Sequence, residues 1–217
     1  MTGFWDYTVV LTYISFASAV FGILSAMSDH LDWAVFCLAF SGLCDMFDGK
    51  IARTKKNRTE DEKCFGIQID SLCDLVCFGI LPIVICYKIG MNRIYSVIIL
   101  TLYGLAGLAR LAYFNVMEEK RQNETTEERT HYQGLPITSM AIALPILFVL
   151  SPLFYSHQIY MTVLHFVVAA VGILFITKFK LRKLSVVEVF LVVVAVAAAV
   201  AVIIFIGHRW WEVLGYR

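Results

Sequence analysis

Four aspartates lie near the ends of two strongly apolar segments of the sequence. Asp45 and Asp48 belong to the first segment, and Asp70 and Asp74 belong to the second. A carboxylate close to hydrocarbon is costly unless it is paired, hydrated or bound to metal, so acids in such segments are candidate functional residues. These four acids are therefore the first candidates for chemistry.

The spacing of the acids predicts two acidic helix faces. Steps of three and four residues return to the same side of an α-helix, and the intervening small residues fall on the same sides. The first face holds Asp45, Asp48, Gly49 and Ala52, and the second holds Gly66, Asp70 and Asp74. If the two faces oppose each other, the carboxylates form an oxygen-rich, negatively charged cage.

Such a cage is suited to hard cations. Carboxylate oxygens prefer Mg²⁺, Mn²⁺ or Ca²⁺ to softer metals, and four acids allow two ions. Gly49 and Ala52 leave the face nearly bare for a ligand, and Arg53 offers a planar fork that matches phosphate oxygens. Metal, phosphate and a bare helix face together suggest diphosphate chemistry.

The same residues resemble the signature of the CDP-alcohol phosphotransferase family, integral membrane enzymes of phospholipid synthesis. The matching string is Asp45-x2-Asp48-Gly49-x2-Ala52-Arg53-x12-Gly66-x3-Asp70-x3-Asp74, with a spacer longer than is usual in the family. The resemblance implies a family core of six membrane helices and two divalent cations, Mg²⁺ or Mn²⁺. It further implies metal ligands at Asp45, Asp48, Asp70 and Asp74, a general base at Asp74, and a CDP-lipid site at Gly49, Ala52, Arg53 and Gly66.

Two further stretches resemble the phosphatidylserine synthase branch of that family. They are Arg110-Leu111-Ala112-Tyr113-Phe114-Asn115, with Tyr113 where the branch often has a second arginine, and Gly134-Leu135-Pro136. The resemblance implies transfer of the phosphatidyl group from CDP-diacylglycerol to L-serine, giving phosphatidylserine and CMP. The serine carboxylate needs a cationic or multi-donor partner, and Arg110 with Asn115 or Gln133 is the candidate set.

Other interpretations remain open at this level. Arg110 can instead extend to the membrane interface or pair with an aspartate, and Gly134 with Pro136 suits the start of a helix whatever the activity. Within the family, the acceptor can be glycerol 3-phosphate or inositol phosphate. A cation transporter is a different class of function, since acids inside membranes also mark ion pathways.

Composition indicates a polytopic membrane protein. The 217 residues are 59% hydrophobic and 16% charged, and the mean hydropathy is +0.75. We predict an all-α bundle forming one domain over 1–217, with active-site helices at about 33–52 and 66–88 and an extra C-terminal helix at about 186–207. The seven predicted spans are Thr8–Met27, Trp33–Ala52, Gly66–Lys88, Arg93–Val116, Leu135–Tyr155, Ile159–Thr177 and Val186–Gly207.

The distribution of basic residues predicts the orientation. Lysines and arginines concentrate in 53–65, 116–134 and 178–185, whereas 28–32 and 151–158 have none. The positive-inside rule then places the N-terminus and the acidic cage at the cytoplasmic face of the cell membrane. The first span lacks a basic region before it and is predicted to be retained. No surface typical of nucleic-acid binding is evident, and the family resemblance implies a homodimer among membrane lipids.

Overall fold

The computed structural model describes residues 7–52, 54–55, 59–124 and 131–182. Its helices are α1 Val10–Met27, α2 Leu31–Ala52, α3 Glu60–Asp74, α4 Leu81–Ile89, α5 Ile94–Glu124, α6 Met140–Val149 and α7 His157–Ile176. A π-helical segment, Leu75–Ile80, joins α3 and α4 into one continuous helix. The described part of the chain therefore contains six helices that run back and forth, together with a short β-ladder.

Within the described residues, four helices are long and apolar enough to cross a membrane. They are Tyr7–Met27, Glu60–Ile89, Ile94–Glu118 and His157–Ile176, with a shorter apolar stretch at Ile137–Val149. The expectation of a helical integral membrane protein is thus confirmed. The predicted span 186–207 lies outside the described residues, so the count of seven stays a prediction.

The helix α3 begins earlier than the predicted start at Gly66. Thr59 Oγ1 accepts a hydrogen bond from the Glu62 amide at 3.2 Å, and a Glu62 carboxylate oxygen accepts one from the Thr59 amide at 2.9 Å. This reciprocal capping box satisfies two amides that a helix start leaves unpaired. Half of the long spacer, Glu60–Phe65, is consequently helical and leads directly into the acidic face.

Small residues let α2 pack closely against its neighbours near the acids. A Cβ added at Gly42 would lie 2.7 Å from the Ala141 Cβ on α6. Without a side chain at 42, the two backbones can approach, as small residues allow between membrane helices. Gly42 precedes Asp45 by about one turn, so this contact fixes the part of α2 that carries the acids.

The π-helical segment follows Asp74 directly and is stabilised from α5. Pro82 has no amide proton, so it cannot donate to the carbonyl four residues earlier, at Phe78. The buried Tyr103 hydroxyl donates to that carbonyl instead. A proline-induced gap in one helix is therefore filled by a side chain of another helix.

A two-stranded antiparallel ladder, which the all-α prediction missed, ties α6 to α7. Strand β1, His131–Gln133, pairs with β2, Lys180–Arg182. Next to it, the Gly134 amide donates to the Phe179 carbonyl at 2.7 Å, and Gly134 has φ +79, a conformation that favours glycine. The ladder holds the entry to α6 against the segment that follows α7.

Candidate active site

The acidic residues of α2 and α3 converge in the half of the bundle that contains the end of α2 at Ala52 and the start of α3 at Glu60; we call this half the acidic end. Carboxylate oxygens of Asp45, Asp70 and Asp74 all lie within 4.8 Å of one another, and all three side chains are half-buried. The helical steps that the sequence predicted therefore do bring the two acidic faces together. Like charges at this separation repel strongly unless a cation lies between them.

Asp48 completes the group. It is only 8% exposed and interacts electrostatically with Asp45 and Asp70. The four predicted acids thus lie together between α2 and α3. Their donor set is made only of carboxylate oxygens, so it fits a hard divalent cation such as Mg²⁺ or Mn²⁺.

The surface of α2 is open at Gly49. A Cβ added at Gly49 would meet no atom within 4 Å, and Gly49 itself is exposed. Ala52 and Gly66 are half-buried on the facing helices. Arg53 lies outside the described residues, so its predicted contact with phosphate stays a prediction.

The candidate acceptor residues of α5 have different surroundings. Arg110 is buried, 7% exposed, and its Nε donates to the Leu135 carbonyl at 3.0 Å, which ties α5 to the entry of α6. Asn115 faces α3, where its Oδ1 accepts a hydrogen bond from Ser71 Oγ at 2.7 Å. Arg110 and Asn115 are five positions apart, which is about 140° around the helix, so they point in different directions.

Gln133, the third candidate acceptor residue, belongs to β1, where its backbone pairs with Lys180. Its side chain is outside the part of the structure that can be described. The contact with the acceptor therefore stays a prediction for Gln133.

Comparison with known proteins agrees with this geometry. The sequence model of the CDP-alcohol phosphatidyltransferase family matches residues 7–176, which include all four aspartates. The chain belongs to this family. The matched region extends from Tyr7, the first described residue, to Ile176, the last residue of α7.

Curated relatives share part of the chain. CDP-diacylglycerol-serine O-phosphatidyltransferase of Saccharomyces cerevisiae is 33% identical over 145 residues, covering 64% of this chain and 51% of the yeast protein. Archaetidylserine synthase of Methanothermobacter thermautotrophicus is 29% identical over 145 residues, covering 66% of this chain and 58% of that protein. The Bacillus subtilis CDP-diacylglycerol-serine O-phosphatidyltransferase is 29% identical over 140 residues, 64% of this chain and 72% of the relative. The chain thus spans little more than half the length of the first two.

Two features of the site were missed by sequence reasoning. One is Ser71, whose position between Asp70 and Asp74 was the available signal. The other is a buried network of hydroxyls and thiols close to the carboxylates. In that network Cys73 Sγ lies 3.2 Å from the Thr12 carbonyl and 3.6 Å from Cys77 Sγ, and Cys77 Sγ lies 3.4 Å from Ser15 Oγ. The spacing of these residues gave no indication that α1 would supply partners.

Proposed function

We propose that the chain transfers the phosphatidyl group of CDP-diacylglycerol to the hydroxyl of L-serine, giving phosphatidylserine and CMP. The observation that carries the proposal is the convergence of Asp45, Asp70 and Asp74 within 4.8 Å in a member of this family. The choice of serine is supported by the names of the relatives, which are serine transferases and an archaetidylserine synthase.

The four aspartates would hold two divalent cations, Mg²⁺ or Mn²⁺, which when bound neutralise the charge of a diphosphate and of the departing CMP. Asp74 accepts the proton of the serine hydroxyl on a carboxylate oxygen as the serine oxygen bonds to the lipid-side phosphorus. The bond from that phosphorus to the CMP oxygen breaks. Asp74 is thus assigned both as a metal ligand and as the acceptor of the serine proton, and these two roles compete for the same carboxylate.

The remaining residues bind and orient the substrates. The open face at Gly49 admits the nucleotide lipid beside Ala52 and Gly66, and Arg53 contacts phosphate. The acceptor is held from α5, where Asn115 is bonded to α3 and the buried Arg110 is bonded to the Leu135 carbonyl at the entry to α6. A buried guanidinium suits a single carboxylate, which is the anionic group of serine.

The membrane arrangement follows from the same proposal. Basic residues concentrate in the segments at the acidic end, so this end faces the cytoplasm, together with the N-terminus. The seven-span count and a homodimer within the membrane belong to this proposal as well. CDP-diacylglycerol enters from the surrounding lipid.

CMP release by the purified protein in detergent tests the reaction. CDP-diacylglycerol is supplied with Mg²⁺ or Mn²⁺ and either L-serine, glycerol 3-phosphate or inositol phosphate, and a parallel arm supplies a CDP-activated lipid with ether chains. We expect release with serine, abolished by a chelator and restored by added Mg²⁺ or Mn²⁺. Asp74→Asn is the blank. Release with another acceptor only would refute the assignment of serine.

A further inference from the structure

Ser71 connects the metal-site helix to α5. It follows Asp70 directly and precedes Asp74 by three residues, so Ser71 and Asp74 are neighbours on the surface of α3. Ser71 Oγ donates to Asn115 Oδ1 at 2.7 Å, across 44 positions of the chain. The contact joins the amide of Asn115 to the helix that carries Asp70 and Asp74.

The direction of this hydrogen bond decides what Asn115 offers. A carboxamide has one oxygen, which accepts, and one nitrogen, which carries two N–H donors. Because the hydroxyl of Ser71 is bonded to the oxygen, the nitrogen is turned away from Ser71. Among the described residues no acceptor is bonded to that nitrogen, although the side chain is half-buried.

We propose that Ser71 is a positioning residue, which orients Asn115 so that its amide N–H groups receive the carboxylate of the acceptor. The inference rests on the proposed function, because it assumes an acceptor with an anionic group. N–H donors stabilise a carboxylate, whereas the amide oxygen repels it. Without Ser71 the amide can rotate and present its oxygen to the acceptor.

A purely structural role for Ser71 predicts a different result. If the bond only joins α3 to α5, its loss lowers stability and affects both substrates alike. The opposite end of α5 provides a matched control, since Ser96 Oγ and His165 Nε2 form a bond of the same 2.7 Å length between α5 and α7. Ser96 lies about 28 Å along the helix from Asn115.

The test measures KM for serine and KM for CDP-diacylglycerol separately, by CMP release at saturating Mg²⁺. For Ser71→Ala we expect KM for serine to rise about tenfold, while KM for the lipid and the Mg²⁺ requirement change by less than about twofold. Ser71→Thr keeps the hydroxyl and should retain a KM close to that of the unaltered protein. The control Ser96→Ala should leave both KM values unchanged.

Changes at Asn115 separate orientation from recognition. Asn115→Asp keeps an oxygen for Ser71 but replaces the N–H donors, so KM for serine should rise more than in Ser71→Ala. The double variant Ser71→Ala with Asn115→Ala should be no worse than Asn115→Ala alone, because Ser71 acts through Asn115. Thermal unfolding in detergent reports whether each variant is folded.

Several outcomes overturn the inference. An equal rise of both KM values in Ser71→Ala, or a higher Mg²⁺ requirement, would mean that Ser71 acts through Asp70 or Asp74. If the rises in KM for serine caused by Ser71→Ala and Asn115→Ala add up in the double variant, Ser71 does not act through Asn115. Release by the unaltered protein with a different acceptor would refute serine, and the KM for that acceptor in the same variants would then decide the role of Ser71. No release with any acceptor would overturn both proposals.

Discussion

The two ends of α5 each hold one serine hydrogen bond of 2.7 Å, and the two bonds differ in what they leave available. At the end away from the acids, His165 Nδ1 lies 2.6 Å from the Met161 carbonyl, which can only accept, so Nε2 accepts from Ser96. Both ring nitrogens of His165 are therefore used. At the acidic end, the amide nitrogen of Asn115 has no acceptor among the described residues, so its two N–H groups are available after Asn115 Oδ1 has bonded to Ser71. A polar pair whose groups are all bonded serves packing, whereas a pair that keeps donors available is suited to binding.

The largest expected effect is at the acids themselves. Asp70→Asn should lower the rate of CMP release by about a thousandfold or more, because a lost metal ligand removes several kcal/mol of charge stabilisation. Asp29→Asn, at the opposite end, is the matched control, since Asp29 is 81% exposed and pairs only with Lys88 among described residues. A rate in Asp70→Asn close to that of the control would contradict the metal assignment.

A smaller, substrate-specific effect is expected at Arg110. Arg110→Lys removes the Nε donor to the Leu135 carbonyl and the planar fork for a carboxylate. KM for serine should therefore rise about tenfold, with a much smaller change in KM for the nucleotide lipid. The comparison is made with Arg93→Lys, an exposed arginine at the opposite end. Equal losses for both substrates would count against carboxylate recognition.

Stability, measured apart from activity, is the readout at Tyr103. Tyr103→Phe leaves the Phe78 carbonyl without its hydroxyl donor, next to Pro82. The free energy of unfolding should fall by about 1–3 kcal/mol, the cost of a buried acceptor that loses its partner. Denaturant unfolding in detergent measures the change. An unchanged midpoint would mean that the carbonyl finds another donor in the π-helical segment.

The smallest effect is expected at the surface of the opposite end. Lys88 Nζ lies 2.6 Å from an Asp29 carboxylate oxygen, but the Asp29 side chain is largely exposed. Exposed ion pairs contribute about 0–1 kcal/mol, so Lys88→Gln should change stability by no more than that. KM for serine should stay as it is. A clear change in this KM would show that the two ends of the bundle are coupled.

The sequence predicted the local parts of the molecule better than the long-range ones. Apolar runs and four-residue spacing identified the helices and the acidic faces, because both depend on residues that are close along the chain. The bond between Ser71 and Asn115 joins residues 44 positions apart, and the β-ladder pairs Gln133 with Lys180. No periodicity records such pairings, since they depend on how helices pack.

The early start of α3 could have been predicted. Thr59 followed by Glu62 is a recognised helix-start pattern, and acids fill the first turn. Hydropathy alone placed the start at Gly66, because the capping turn is polar. The acidic faces depend on the helix that this polar turn begins, so a charged spacer contributes to the site.

The π-helical segment Leu75–Ile80 lets the residues before it and the residues after it face directions that a regular helix could not combine. A π-turn adds a residue to the helical path and turns everything beyond it by about 100° relative to a regular helix. The carboxylates before it can thus face α2 while the residues after it keep their own contacts in the core. Deleting one residue within 75–80 would force a choice between these two registers, so length here matters more than the identity of any side chain.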